Sequence, residues 1–163
     1  MFTLGVLTIS DLGSMGKRND LSGPEVQNLL GELGFITSSY DIIPDERDQI
    51  VERLKRWADD DNLDLIVTTG GTGIGPRDVT PEATTQIVTQ FIPGIPELMR
   101  IKTAKKTPTA SLSRAIAGIR GRTLIINLPG SPQGVRECLE VLKDILPHAV
   151  AILTEQIKEH RKS

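Results

Sequence analysis

Apolar positions along the chain fall into short continuous runs that alternate with stretches spaced three and four residues apart. Phe2–Ser10 is almost unbroken apolar and β-branched sequence, as expected of a strand buried on both faces. Asp11–Leu21 is polar, contains Gly13 and Gly16, and reads as a loop. Ser22 and Glu25 have the spacing of a capping box, with Pro24 tolerated in the first turn. Val26, Leu29, Leu30 and Leu33 then form the stripe of a helix that stops at Gly34. Ile36–Ile43 predicts a second strand, closed by Pro44, and Ile50, Val51, Leu54, Trp57 and Ala58 predict a helix over Glu46–Asp60.

Leu63–Thr69 is the clearest strand and ends in Gly70-Gly71. Thr80 is the expected cap of a third helix, with Pro81 at its first position and Ala83, Ile87, Val88 and Phe91 facing inward. Pro93–Lys106 reads as helical sequence broken by Pro96. Ala115–Leu128 predicts two antiparallel strands joined around Gly121, and Gln133–Leu146 and Pro147–Glu159 predict two closing helices. The alternation implies an α/β fold: a three-layer α/β/α sandwich, one domain over residues 1–163, with a mostly parallel sheet and one antiparallel strand. In such sheets ligands bind outside the carboxyl ends of the strands. That rule points to the loops after Ser10, after Thr69 and after Leu128.

Composition narrows the partners. Aromatic residues make up 3% of the chain, so the core must be aliphatic and no stacking platform for single-stranded nucleic acid is expected. With 19 basic and 21 acidic residues the net charge is -2, which leaves no basic field for a nucleic-acid backbone. Lys105-Lys106 and the segment Lys158–Lys162 read as solvated surface. No apolar run approaches the roughly 20 residues of a membrane span, and Met1–Ser10 lacks the basic start of a leader, so a cytoplasmic location without membrane contact is expected. Cys138, among Val135, Leu139 and Leu142, is expected to be a buried structural thiol. His148 and His160 lack metal-ligand partners at suitable spacing, which disfavours a zinc site or a Ser-His-Asp arrangement.

The candidate chemistry lies in Thr69–Thr84. Glycines at 70, 71, 73 and 75 remove side chains where a strand hands over to a helix, so backbone N–H groups can approach phosphate oxygens. The same glycines would also suit a plain tight turn. A Walker loop would need Lys and Ser or Thr after the last glycine, where Pro76-Arg77 stand, and the dinucleotide fingerprint would need glycine at Pro76. Asp78 follows at the brink of the helix, and Asp45 occupies the loop after the second strand. Carboxylates in these places suit Mg²⁺ shared with phosphate oxygens, or else helix starts.

These motifs resemble the molybdopterin adenylyltransferase family, which takes in MogA and MoaB proteins and the G domains of gephyrin and its plant counterparts. The resemblance rests on Thr8-Ile9-Ser10-Asp11, Asp20-Leu21-Ser22-Gly23-Pro24, Ile43-Pro44-Asp45-Glu46, Gly70-Gly71-Thr72-Gly73 through Arg77 to Ala83, Leu112-Ser113-Arg114-Ala115 through Gly121, and Asn127-Leu128-Pro129-Gly130. It implies Mg²⁺-dependent adenylylation of molybdopterin by ATP, with release of pyrophosphate. Asp45 and Asp78 would be the catalytic, metal-holding carboxylates. Gly70, Gly71, Thr72 and Gly73 would hold the nucleotide side, while Ser10, Asp20, Ser22, Ser113, Asn127, Pro129, Gly130 and Ser131 would help enclose nucleotide and pterin. Arg77 is a candidate to assist. Ser131 stands where relatives often carry Asn or Gln, and it could instead cap the next helix. The resemblance also implies a homotrimer, with a hexamer as alternative, and contact with the metal-insertion enzyme of the same pathway. The competing readings are a non-catalytic MoaB-like binding or scaffold protein and a nucleotide-binding domain with another acceptor.

Overall fold

The apolar runs assemble into one six-stranded sheet in a computed structural model that describes residues 1–155. The strands are β1 (Phe2–Ile9), β2 (Phe35–Ile43), β3 (Leu65–Thr69), β4 (Gln90–Phe91), β5 (Ala117–Arg120) and β6 (Thr123–Leu128), in the order β2-β1-β3-β6-β5-β4. Pairings of β1 with β2 and β3, and of β3 with β6, are parallel. β5 runs against both β6 and β4, which makes it the one antiparallel strand.

Helices cover both faces because alternate strand residues point to opposite sides. Leu4, Val6, Leu65, Val67, Leu124 and Ile126 pack against Val26 and Leu30 of α2 (Ser22–Glu32), Met99 of α5 (Gly94–Thr103), Leu139 of α6 (Pro132–Leu142) and Val150 of α7 (Leu146–Leu153). On the other face Leu7, Ile9, Ile66 and Ile125 meet Ile50 and Leu54 of α3 (Arg47–Lys55), Trp57 of the π-helical turn continuing it, and Ala83 and Ile87 of α4 (Thr80–Ile87). The core is aliphatic apart from Phe35 and Trp57, as the scarcity of aromatic residues requires, and Cys138 is buried in it. Burial, reinforced by the charge of Glu137, pushes its thiol up to about 12, so it stays protonated and inert at neutral pH.

Several local expectations are corrected. Asp11–Ser14 forms a helical turn, α1, inside the expected loop; Ser10 caps it by accepting from Gly13 N–H at 3.0 Å. The Ser22–Glu25 capping box is not made, since Ser22 is already helical. Asp20 caps α2 instead, accepting from the backbone N–H of Ser22 at 3.1 Å and of Gly23 at 3.0 Å. Thr80 does not cap α4 either: its hydroxyl donates to Gly70 O at 2.9 Å. Phe91 is exposed and lies in β4, because the chain turns extended at Val88. Pro96 does not break α5, since it sits in the first turn where no intrahelical N–H is needed. The first closing helix ends at Leu142 rather than Leu146, and the second already begins at Leu146. His160, the Lys158–Lys162 segment and the end of the last predicted helix lie outside the described residues. Among the described residues no helix is long and apolar enough to cross a membrane.

Candidate active site

The carboxyl ends of β1, β3 and β6 open onto three loops that are tied together by hydrogen bonds. Gly70 N–H donates to Leu128 O at 3.1 Å, Thr69 Oγ1 to Pro129 O at 2.7 Å, and Ser22 Oγ to Gly130 O. Gly70 adopts φ +105, and a Cβ there would lie 2.3 Å from Ile9 O, so the loop can press onto the end of β1 only with glycine. Gly70→Ala is accordingly expected to destabilise the fold by about 3 kcal/mol in urea unfolding. At Gly71 a Cβ would come within 3.0 Å of Asp45 Oδ1, which shows how closely this backbone approaches the first carboxylate.

Two cavities flank Ser131. The larger, about 540 Å³, is lined by Ser10, Asp20, Ser22, Asp45, Gly70, Gly71, Asp78 and Gly130, among others. The smaller, about 300 Å³, lies between α5, α6 and the 3₁₀ turn Pro108–Leu112, with Thr72, Gly73, Met99, Leu112, Ser113 and Pro129 in its wall. Ser131 borders both, with Pro129 and Gln133 on the smaller side and Gly130 and Pro132 on the larger. Both volumes fall in the range of small-molecule sites.

Asp45 and Asp78 line the same cavity, as expected of a pair acting together. Asp45 does not cap α3. Its Oδ2 accepts from Asp11 N–H at 3.0 Å while Asp11 Oδ1 accepts from Asp45 N–H at 3.0 Å, a reciprocal lock between the loops after β1 and β2. Burial raises the Asp45 pKa, and the charges of Asp11 and Asp78 add to the rise, against the lowering hydrogen bond from Asp11. Asp11 is held below the usual carboxylate range, first by its hydrogen bonds from Arg77. Asp78 Oδ2 accepts from Gly75 N–H at 2.9 Å. Among the described residues no hydrogen bond reaches Asp45 Oδ1 or Asp78 Oδ1. One free oxygen on each carboxylate leaves both open to a hard cation such as Mg²⁺, which takes one or two carboxylates beside phosphate and water oxygens.

The other candidates divide by what their side chains do. Asp20 accepts from Thr8 Oγ1 at 2.7 Å, from Tyr40 OH and from two backbone N–H groups, so its charge is engaged in holding the rim. Ser131 Oγ accepts from Gly134 N–H at 3.0 Å and caps α6. Asn127 is a correction. It is fully buried, donates to Thr68 Oγ1 and Thr84 Oγ1, accepts from Ile116 N–H, and lines neither cavity. It fixes the end of β6 from beneath the site. Arg77 is engaged by Asp11, through both Nε and Nη2, and by Glu46 at 2.8 Å.

Sequence reasoning assigned no role to two residues that organise this site. Asp11 locks Asp45, and Arg114 grips the glycine loop from behind. Both stand inside quoted motifs, but their partners lie in distant segments, so spacing alone carried no signal for either role.

Fold and site together define an α/β protein of the class whose ligand sites lie at the carboxyl edge of a parallel sheet, where a glycine loop and two carboxylates here line one cavity. Residues 5–148 match the family described as "Probable molybdopterin binding domain", and the chain belongs to that family. It is 47% identical over 152 residues to a Helicobacter pylori protein named molybdopterin adenylyltransferase, covering 92% of this chain and 86% of that one. It is 44% identical over 162 residues to the Drosophila melanogaster molybdenum cofactor synthesis protein cinnamon, covering 99% of this chain but only 27% of that longer protein. The crystal structure of the molybdopterin biosynthesis enzyme MoaB from Thermus thermophilus shares 49% identity and a TM-score of 0.91, over 95% of this chain and 98% of that chain.

Proposed function

We propose that this protein is a molybdopterin adenylyltransferase, which moves the adenylyl group of ATP onto the terminal phosphate of molybdopterin and releases pyrophosphate. The observation that carries this reading is the pair Asp45 and Asp78 in a cavity that meets a second one at Ser131. The larger cavity, where the glycine-loop backbone faces two carboxylates that would hold Mg²⁺, suits metal-bound ATP phosphates. The smaller, with Met99 and Leu112 beside the polar side chains of Thr72 and Ser113, suits the pterin. The namesake activity of the Helicobacter pylori relative, matched over most of both chains, supports the same reading.

A phosphate oxygen of molybdopterin attacks the α-phosphorus of ATP. The bond from that phosphorus to the oxygen bridging the β-phosphate breaks, and pyrophosphate leaves with the electron pair. The attacking phosphate is already anionic at neutral pH, so no general base is required. The difficulty is repulsion between two anions, which fixed donors and positive charge must offset. Bound at Asp45 and Asp78, Mg²⁺ would supply that charge. The glycine loop orients the phosphates, and the two cavities hold the reactants at a shared border.

Pyrophosphate release from MgATP is expected only when molybdopterin is present. Folded protein that binds molybdopterin yet releases none would be a non-catalytic binding or scaffold protein instead. The same reading extends to a cytoplasmic homotrimer that passes its product to the metal-insertion enzyme of the pathway. Light scattering distinguishes a trimer from a hexamer.

A further inference from the structure

Arg114 lines neither cavity, yet its guanidinium reaches both ends of the loop that separates them. Nε donates to Gly73 O at 2.7 Å and Nη2 to Asp78 O at 2.8 Å, while Nη1 pairs with Glu82 Oε1 in the first turn of α4. Its backbone N–H adds a bond to Thr72 O at 2.8 Å. Thr72 and Gly73 belong to the wall of the smaller cavity and Asp78 to the wall of the larger. A single planar fork thus fixes the spacing between the two walls, a task that the point charge of lysine cannot duplicate. Among the described residues Glu82 Oε2 is buried without a hydrogen-bond partner, and Arg114 is the group that holds this carboxylate in place.

We propose that Arg114 is a positioning residue for the transfer step, acting from behind the glycine loop to set the pterin-side segment Thr72–Gly73 against the metal-side carboxylate of Asp78. The proposal rests on the adenylyl-transfer reading above. It requires that loss of the fork misplace two bound reactants relative to each other more than it weakens the binding of either. A displacement of about 1 Å between reacting groups is enough to lower a rate roughly 100-fold.

The test compares wild type with Arg114→Ala, Arg114→Lys and Glu82→Gln, by steady-state kinetics in both substrates and by native-state hydrogen exchange. Arg114→Ala is expected to lower kcat about 100-fold with each KM within about threefold of wild type, and added guanidinium should restore part of the loss. Arg114→Lys should fall nearly as far and Glu82→Gln less, because the two carbonyl contacts survive in the latter. Exchange should quicken in segment 72–78 and stay unchanged in β1, β3 and β6. Wild-type kcat in Arg114→Lys, or a loss accounted for wholly by a smaller folded fraction, overturns the proposal. So does unchanged exchange in segment 72–78 of whichever Arg114 variant folds. Wild-type protein that releases no pyrophosphate overturns the transfer reading and the catalytic role with it, while exchange in segment 72–78 still decides separately whether Arg114 sets the loop.

Discussion

Asp78→Asn is expected to lower the rate of pyrophosphate release by about two to three orders of magnitude, the scale of losing one group that stabilises transition-state charge. The fold should survive the change. Asp78 is only partly buried, and the one hydrogen bond its carboxylate accepts among the described residues, from Gly75 N–H at 2.9 Å, can be accepted equally by an amide oxygen. What asparagine cannot replace is the negative charge on the free Oδ1. The deficit should therefore appear in kcat and in the Mg²⁺ concentration needed for half-maximal rate, with little change in the KM for molybdopterin. Titrating Mg²⁺ at saturating substrates separates these quantities. A rate within a few-fold of wild type would remove Asp78 from the site and reduce it to a brace for the turn at Gly75.

The sheet was legible because its strands are short apolar runs bounded by glycine, proline or polar residues, and the parallel order followed from the helices between them. β4 was not. Ile87, Val88 and Phe91 keep helical spacing past the end of α4, and only pairing of Gln90 and Phe91 with β5 shows that the chain has become extended. The cap of α2 was misplaced for a related reason. Asp20 and Ser22 are both good capping residues, and the choice depends on Thr8 and Tyr40, whose hydroxyls fix Asp20 from β1 and β2.

The candidate site was legible at the level of loops and much less so at the level of side chains. Asp45 and Asp78 could be picked out as carboxylates in the loops after β2 and β3, but helix starts were an open use for both, and only the family resemblance joined them as a pair. Asn127 falls within the expected strand ending at Leu128, and only the resemblance put it at the ligand; as the buried penultimate residue of β6 its amide satisfies groups on Thr68, Thr84 and Ile116. Its polarity serves packing of the site floor. Arg114 and Asp11 went the other way. Each acts on residues far away in sequence, through contacts that only the folded chain creates.

Asp45→Asn is expected to lower the rate by about 100-fold while making the protein harder to unfold at neutral pH. The second effect follows from the sign of the pKa shift. Burial and the nearby charges of Asp11 and Asp78 raise the Asp45 pKa, so the folded chain binds this proton more tightly than the unfolded chain does. The stability this gives is present below the unfolded value and is lost as pH rises through the higher folded value. At neutral pH the folded protein therefore bears the full penalty of a half-buried, crowded carboxylate, and asparagine removes it. The amide oxygen can still accept the bond from Asp11 N–H, so the lock between the two loops need not open. Thermal melts at neutral pH should place Asp45→Asn above wild type, with the gap closing as the pH falls. MgATP should raise the wild-type melt more than that of the variant. The raised pKa also shifts the acid limb of the wild-type rate profile upward from where an ordinary aspartate would put it, and more Mg²⁺ should move that limb to lower pH by competing with the proton. A lower melt for the variant, or an acid limb indifferent to Mg²⁺, would mark Asp45 as a structural brace. The expected pattern is that of a charge the fold tolerates at a loss because the reaction between two anions needs it there.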